Sequence, residues 1–282
     1  MSIEIKNLTY VYNEKSAFER KAIKDIDFTI ENGEFIGLIG HTGSGKSTLI
    51  QHFNSLLKPT SGQILIDGFD INSDKSKLKS VRQKVGLVFQ YPEHQLFETT
   101  IYKDVAFGAQ NLGLEKEEVH CRVCDALEIV GIDESLYHKS PFDLSGGQKR
   151  RIAIAGVLAM KPQILILDEP TAGLDPFGRD EILNRIKEMH KALKITVILV
   201  SHSMEDISRL VERILVLHKG ELIYNDIPKK VFAHSKELEQ IGLAAPQISY
   251  LMSAIKEKGI DVPLDIFTVS DAADTLYDIL KK

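Results

Sequence analysis

The sequence predicts an α/β fold with a phosphate-binding loop, and three observations indicate it. Short apolar runs at 35–39, 164–167 and 195–200 are typical of parallel strands buried on both faces. An amphipathic segment at 179–193 lies between two of these runs, where a helix that covers such a sheet would lie. A glycine-rich stretch beginning at Gly40 joins the first run to a helix-forming segment, which favours binding of an anion.

The N-terminal part of the chain is predicted to form antiparallel strands. Apolar and polar residues alternate over 3–12, a second strand is expected at 26–30, and the polar segment 13–21 between them indicates a surface loop. Asn32-Gly33 then favours a turn into the strand before the glycine-rich stretch. Asp67-Gly68 favours a hairpin between strands at 63–66 and 69–71.

Helices are expected in the middle of the chain. The helix that starts after Lys46 is predicted to end near Leu57, because Pro59 follows. The apolar run 85–89 is predicted to be a buried central strand. From about 99 to 160 the patterns are helical, which indicates a helical subdomain inserted into the sheet-containing core.

The alternation of strand and helix resumes after residue 160. A hairpin is expected at 213–218 and 221–224, joined by Lys219-Gly220, and helical patterns follow Asp226. We therefore predict a nucleotide-binding domain at 1–225 and a C-terminal helical extension at 226–282. The extension is either a dimerisation element or a tail that packs only on its own domain.

The glycine-rich stretch fits the pattern G-x-x-x-x-G-K-[S/T]. Glycines let several backbone N–H groups point at one phosphate, and the helix that follows adds the positive end of its dipole. Lys46 is expected to reach the β- and γ-phosphates, and the Ser47 hydroxyl to ligate magnesium. The predicted nucleotide-binding residues of this stretch are Gly40, His41, Thr42, Gly43, Ser44, Gly45, Lys46, Ser47 and Thr48.

Two carboxylates end the apolar run at 164–167. Ligand sites in α/β sheets lie at the carboxyl ends of the strands, where the phosphate loop also lies. Asp168 is therefore a candidate magnesium ligand. Glu169 points the other way and could take a proton from an attacking water, so we predict it to be the catalytic base.

A second anion-binding turn precedes a helix at Lys149. Ser145, Gly146, Gly147 and Gln148 again place a hydroxyl and backbone N–H groups at a helix N-terminus. One nucleotide does not need two such loops from one chain. The economical hypothesis is that each loop serves a different nucleotide across a dimer.

In this order of motifs the sequence resembles the ATPase subunits of ATP-binding cassette (ABC) transporters, which are P-loop ATPases with an antiparallel β subdomain. The resemblance covers residues 1 to about 225 and implies ATP and Mg²⁺ as cofactors. It also implies four further roles: adenine stacking by Tyr12, magnesium contact and catalysis by Gln90, a dimer-contact loop at Asp175, and a catalytic switch at His202.

Two further stretches resemble the energy-coupling factor (ECF) type of these ATPases, namely 90–97 and 237–263. The phosphate loop and residues 140–144 resemble the second of the two paralogous ATPases of this type, although Lys149 stands where that paralogue would have methionine. This implies a motor subunit for uptake of a vitamin or transition-metal ion, at the cytoplasmic face of the cell membrane. The implied partners are a paralogous ATPase in a heterodimer (or a homodimer), a transmembrane coupling protein and a membrane substrate-binding subunit.

Composition limits the alternatives. The net charge is −5 and the only compact basic triplet is 149–151, so no nucleic-acid partner is expected. No apolar segment approaches the roughly 20 residues that cross a bilayer, and the N-terminus lacks the pattern of a secretion signal.

Cys121 and Cys124 lie in a helix-patterned segment without a second ligand pair, which favours a structural interpretation. The alternative function is a soluble ABC ATPase that acts on ribosomes or DNA.

Overall fold

The computed structural model describes residues 2–74, 76 and 78–281. Its ten strands form a four-stranded and a six-stranded sheet. The strands are β1 (Ile3–Tyr12), β2 (Arg20–Ile30), β3 (Phe35–Ile39), β4 (Ser61–Ile66), β5 (Phe69–Asp70), β6 (Val85–Val88), β7 (Ile164–Asp168), β8 (Thr196–Val200), β9 (Arg213–His218) and β10 (Glu221–Asp226).

Helices cover both sheets and continue to the C-terminus. Within the described part of the chain, none of them is long and apolar enough to cross a membrane. They are α1 (Lys46–Phe53), α2 (Leu78–Lys84), α3 (Ile101–Asn111), α4 (Lys116–Ile129), α5 (Gly146–Leu158), α6 (Pro176–Leu193), α7 (Met204–Leu210), α8 (Pro228–Ala233), α9 (Ser235–Gln240), α10 (Gln247–Glu257) and α11 (Val269–Leu280).

The four-stranded sheet is antiparallel, as predicted, in the order β2-β1-β4-β5. The expected surface loop at 13–21 is shorter than predicted. Arg20 pairs with Tyr12 and Lys21 with Val11, so both residues belong to β2. This end of β2 is exposed, so it carries charged side chains. The sequence there lacks the apolar residues by which a strand is predicted.

The six-stranded sheet has the order β10-β9-β3-β8-β7-β6, and its strands are parallel except for β10. The prediction of a central strand at 85–89 was wrong in position. β6 pairs only with β7 and lies at the edge of the sheet. All four of its residues are nevertheless buried, because α2 and α5 pack against it. Burial on both faces therefore does not identify a central strand.

The first helix is shorter than predicted. α1 ends at Phe53, and Ser55 has a left-handed φ of +55°. The backbone N–H groups of Leu56 and Leu57 both donate to the carbonyl of Gln51, which closes the helix with a turn. Helix termination here thus precedes Pro59 by several residues.

The core lies on both faces of the six-stranded sheet. In β7, Leu165 and Leu167 face one cluster, formed with α3–α7, whereas Ile164 and Ile166 face the other, formed with α1 and the antiparallel sheet. α8 and α9 also bury side chains in the first cluster. α10 and α11 enclose a small cluster of their own, centred on Met252.

Candidate nucleotide site

The phosphate loop connects β3 to α1, and two of its glycines are required by close contacts. A Cβ on Gly40 would lie 2.3 Å from the carbonyl oxygen of Leu217. Gly45 caps α1 with a φ of +110°, and a Cβ there would lie 2.7 Å from the carbonyl oxygen of Ala22. The loop therefore packs closely against the backbone of β2 and β9, and these contacts fix its conformation. Within it, the Nδ1 of His41 lies 2.7 Å from the carbonyl oxygen of Thr42, and Ser44 is fully buried.

Lys46 is held at the mouth of this loop. Its side chain is 6% exposed, and Nζ donates hydrogen bonds to the carbonyls of Gly40 at 2.7 Å and His41 at 3.2 Å. Burial lowers the pKa of its ammonium group, while Glu169 and Asp168 oppose the shift. The loop therefore already holds one buried cation near two carboxylates.

Ser47 and Asp168 lie next to each other at the carboxyl edge of the six-stranded sheet. Ser47 lies on α1, after the loop that follows β3, and Asp168 ends β7; β3 and β7 are separated only by β8. The Ser47 hydroxyl donates to Asp168 Oδ2 at 3.4 Å. Burial raises the pKa of Asp168, whereas the hydrogen bond from Ser47 and the charge of Lys46 oppose the shift. A hydroxyl and a carboxylate oxygen are ligands that Mg²⁺ prefers.

Glu169 is strained, mostly buried, with a side chain that is 12% exposed, and short of hydrogen bonds. Its φ is +51°, and its backbone N–H donates to the carbonyl of Val200. Burial raises the pKa of its carboxyl to about 7. The backbone N–H of His202 and the charge of Lys46 oppose this shift, and the charge of Asp168 adds to it. His202 Nε2 lies 3.3 Å from Oε1, without the alignment of a hydrogen bond. Oε1 therefore has no hydrogen-bond partner among the described residues.

His202 is half-exposed just after β8, beside Glu169. Burial and the charge of Lys46 lower the pKa of its imidazole. The ring is thus favoured in its neutral form, in which one nitrogen can accept a proton or a hydrogen bond.

A cavity of about 180 Å³ adjoins the phosphate loop. Tyr12 lies at its wall, and its hydroxyl is 3.2 Å from the Thr48 Oγ1. Arg20 lines the same cavity and donates to the carbonyl of Gly43 at 3.4 Å. Sequence reasoning missed Arg20 because the segment was assigned to a loop. The pairing of residues 12 and 20 across a hairpin could have found it.

The second turn forms a surface of its own. Ser145 caps α5 by accepting from the backbone N–H of Gln148, and the Gln148 side chain accepts from the N–H of Ser145 in return. A Cβ on Gly146 or Gly147 would meet nothing within 4 Å. None of these four residues lines the cavity at the phosphate loop.

Gln90 and Asp175 are both exposed. Gln90 follows β6, and no hydrogen bond joins it to Ser47 or Asp168. Asp175 caps α6 by accepting from the backbone N–H of Gly178 at 2.8 Å.

The fold and this site define a P-loop nucleoside triphosphatase of the ATP-binding cassette class. The family model described as ABC transporter matches residues 23–172. The energy-coupling factor transporter ATP-binding protein EcfA2 of Clostridium tetani is 60% identical over 99% of this chain and 97% of its own length. The EcfA2 protein of Clostridium perfringens is 54% identical over 100% of this chain and 99% of its own.

Solved structures of ATP-binding cassette proteins also match this chain. The cbiO1 protein of Clostridium perfringens, described as part of the ABC transporter complex cbiONQ, matches with a TM-score of 0.76 and 42% identity, over 89% of this chain and 98% of its own. The ATP-binding cassette MJ0796, in a dimeric post-hydrolysis state bound to ADP and phosphate, matches with a TM-score of 0.70 and 32% identity, over 80% and 98%. The chain belongs to the ABC transporter family of ATPases, in the branch of the energy-coupling factor ATP-binding subunits. The resemblance inferred from the motifs is thus confirmed, and the ribosome or DNA alternative is not favoured.

Proposed function

We propose that this chain is one half of an ATP-driven dimeric motor that powers uptake through membrane partners. The observation that carries the proposal is the position of the turn 145–148, which has Ser145 and Gly146 exposed and takes no part in the chain's own nucleotide cavity. A second anion-binding turn that faces outward is explained if it completes the site of a neighbouring subunit. The dimeric structure of MJ0796 with ADP and phosphate supports such pairing.

In this proposal each ATP is held between one phosphate loop and the partner's second turn. Gly40–Thr48 and Tyr12 would bind ATP on one subunit, and Ser145, Gly146, Gly147 and Gln148 would contact it from the other, beside Asp175. Ligand binding across the interface favours the closed dimer, and hydrolysis removes that preference. The partner is either a second copy or a paralogous ATPase.

Ser47, Asp168 and Gln90 would hold Mg²⁺. The ion would neutralise charge on the β- and γ-phosphates, which relieves the crowding of negative groups around Lys46. Glu169 is suited to accept a proton from water, because a base with a pKa near the working pH is most effective. His202, next to that carboxylate, would orient the attacked phosphate or the water.

An apolar groove between the core and the inserted helices would receive the membrane-embedded coupling protein. The groove has a volume of about 490 Å³ and is lined by the end of the 90–97 segment and by α3 and α5. Phe97 and Phe107 line it and are 57% and 45% exposed, with their rings in edge contact at 4.9 Å. Exposed aromatic side chains in a groove are typical of binding sites for another protein. Docking there would hold the chain at the cytoplasmic face, together with the substrate-binding membrane subunit.

Substitution of Ser145 tests the shared site. Ser145→Ala in the complex purified from membranes should lower the rate of phosphate release at least about tenfold, because the partner's nucleotide loses a hydroxyl contact. Asp133→Ala also removes a side-chain cap, which accepts from the backbone N–H of Ser135 at the 3₁₀ turn Glu134–Leu136, and should leave the rate unchanged. Hydrolysis by the Ser145 variant at the wild-type rate would contradict donation across a dimer.

A further inference from the structure

Arg150 has the largest of the fully buried side chains in the described structure, although it carries a charge. It lies in the second turn of α5, five residues after Ser145, and its side chain is 1% exposed. A buried cation is costly unless each of its donors is paired. Its partners lie in two segments that are distant in the sequence.

The first partner is Glu93, in the 3₁₀ turn Pro92–Gln95 that follows Gln90. Nε donates to one carboxylate oxygen at 3.1 Å and Nη2 to the other at 2.7 Å. This two-pronged contact fixes the relative position of the turn and of α5. Gln95, in the same turn, lines the apolar groove that we assign to the membrane partner.

The second set of partners follows Glu169 directly. Nη1 donates to the carbonyls of Pro170 at 3.0 Å and Ala172 at 2.7 Å. From the other side, the hydroxyl of Thr171 donates to Asp206. The left-handed backbone of Glu169 is unfavourable for a glutamate and persists only if its surroundings hold it. Arg150 bonds the carbonyls one and three residues after Glu169.

We propose that Arg150 is a positioning residue that fixes Glu169 and links it to the membrane-facing turn Pro92–Gln95. The inference deepens the proposed function, on which its coupling role rests. One guanidinium bonds both segments, so movement of the turn moves the carbonyls of Pro170 and Ala172. Docking of the membrane partner therefore changes the position of the base that limits hydrolysis.

The first test is Arg150→Lys in the complex purified from membranes. Lysine keeps the charge, but a single ammonium group cannot reach Glu93 and both carbonyls at once. We expect kcat for ATP hydrolysis to fall at least about tenfold, with KM for ATP within about twofold of wild type, because the base is displaced and the nucleotide cavity is not. A kcat within about twofold of wild type would overturn the positioning role.

Arg151→Lys is the matched control. Arg151 is the next residue of α5 and is 9% exposed, but it bonds the carbonyls of Val130 and Gly131 and the carboxylate of Glu181. Its loss should lower the melting temperature as much as the Arg150 substitution while leaving kcat unchanged. An equal fall of kcat in both variants would show a general effect of destabilising α5, and would also overturn the proposal.

Glu93→Gln tests the link to the membrane side in a variant that keeps the carbonyl contacts of Arg150. We expect the ATPase rate of the assembled complex, divided by that of the detached ATPase dimer, to fall at least about fivefold. An unchanged ratio would overturn the link and leave the Arg150→Lys result to decide the positioning role alone. If the wild-type chain copurified with no membrane protein, the proposed function would fail instead, and the kcat test could still be made on the dimer.

Discussion

Glu169 joins backbone strain to a buried carboxyl with a raised pKa. Its left-handed φ and its unpartnered Oε1 are both unfavourable for the folded state. Such features concentrate where a group must be held ready for chemistry. At the scale of single residues, the features that hold this base ready to titrate close to neutral pH therefore lower the stability of the folded protein.

Hydrolysis should depend on the protonation of this residue. The base acts as a carboxylate and its pKa is about 7, so kcat/KM should increase as the pH is raised through 7. At lower pH the carboxyl is protonated and kcat/KM should be smaller. Glu169→Gln should bind ATP normally and hydrolyse it at least about 100-fold more slowly, without that rise. Phosphate release and nucleotide binding measured from pH 5.5 to 8.5 check this, and near-normal turnover would contradict the base role.

The same residue should make stability depend on pH. The unfolded carboxyl titrates near 4.5 and the folded one near 7, so between these values the folded state holds the extra proton and the free energy of unfolding falls as pH rises. Glu169→Gln should therefore be more stable than wild type at pH 8, by at most about 3 kcal/mol. The gain should vanish near pH 4.5. Urea unfolding without nucleotide or magnesium measures it, and a constant difference across pH would contradict the assignment.

At the scale of elements, the contact between β6 and α5 matters because it joins the edge of the sheet to the helix of the second turn. Gly86 allows the two to approach, since a Cβ there would lie 2.5 Å from a methyl group of Val157. Val157 lies on α5 and also lines the apolar groove. The buried edge strand, which the sequence placed at the centre, is thus closed by helix packing and not by another strand.

Substitution by alanine at two glycines of this contact should change the stability of the protein in opposite directions. Gly86→Ala should destabilise the protein by about 1–3 kcal/mol, because the added methyl group overpacks the interface. Gly156→Ala, within α5, has its nearest contact at 3.9 Å and should stabilise the protein by about 0.5–1 kcal/mol through helix propensity. Urea unfolding compares them, and destabilisation by both would mean that α5 cannot accept any added volume.

At the scale of the whole molecule, the C-terminal extension consists of two parts. Val231, Phe232 and Leu238 are buried in the main core, whereas α10 and α11 pack around their own small cluster. The second part also presents apolar side chains to solvent, at 40–74% exposure: Tyr250, Leu251, Ile260, Leu264, Val269 and Tyr277. Exposed apolar side chains of this kind favour pairing over a purely solvated tail.

Removal of residues 246–282 should therefore weaken pairing without unfolding the core. A cut after Asp226 would also remove the buried residues of α8 and α9, so it cannot separate the two effects. We expect the shorter chain to dissociate at a concentration at least about tenfold higher, measured by size-exclusion chromatography with light scattering. Unchanged pairing, with an unchanged melting temperature of the core, would show that these helices serve another purpose.

The sequence alone determined the family, the strand-loop-helix around Lys46, the two carboxylates at the end of β7 and the turn at Ser145 that begins a helix. These depend on local patterns, in which glycines, caps and apolar runs act within a few residues of each other. Only the tertiary structure decided that β6 lies at an edge, that Arg20 reaches the phosphate loop and that Arg150 bonds Glu93, 57 residues away. Such contacts depend on how separate elements pack, and no periodicity along the chain encodes which buried charge meets which partner.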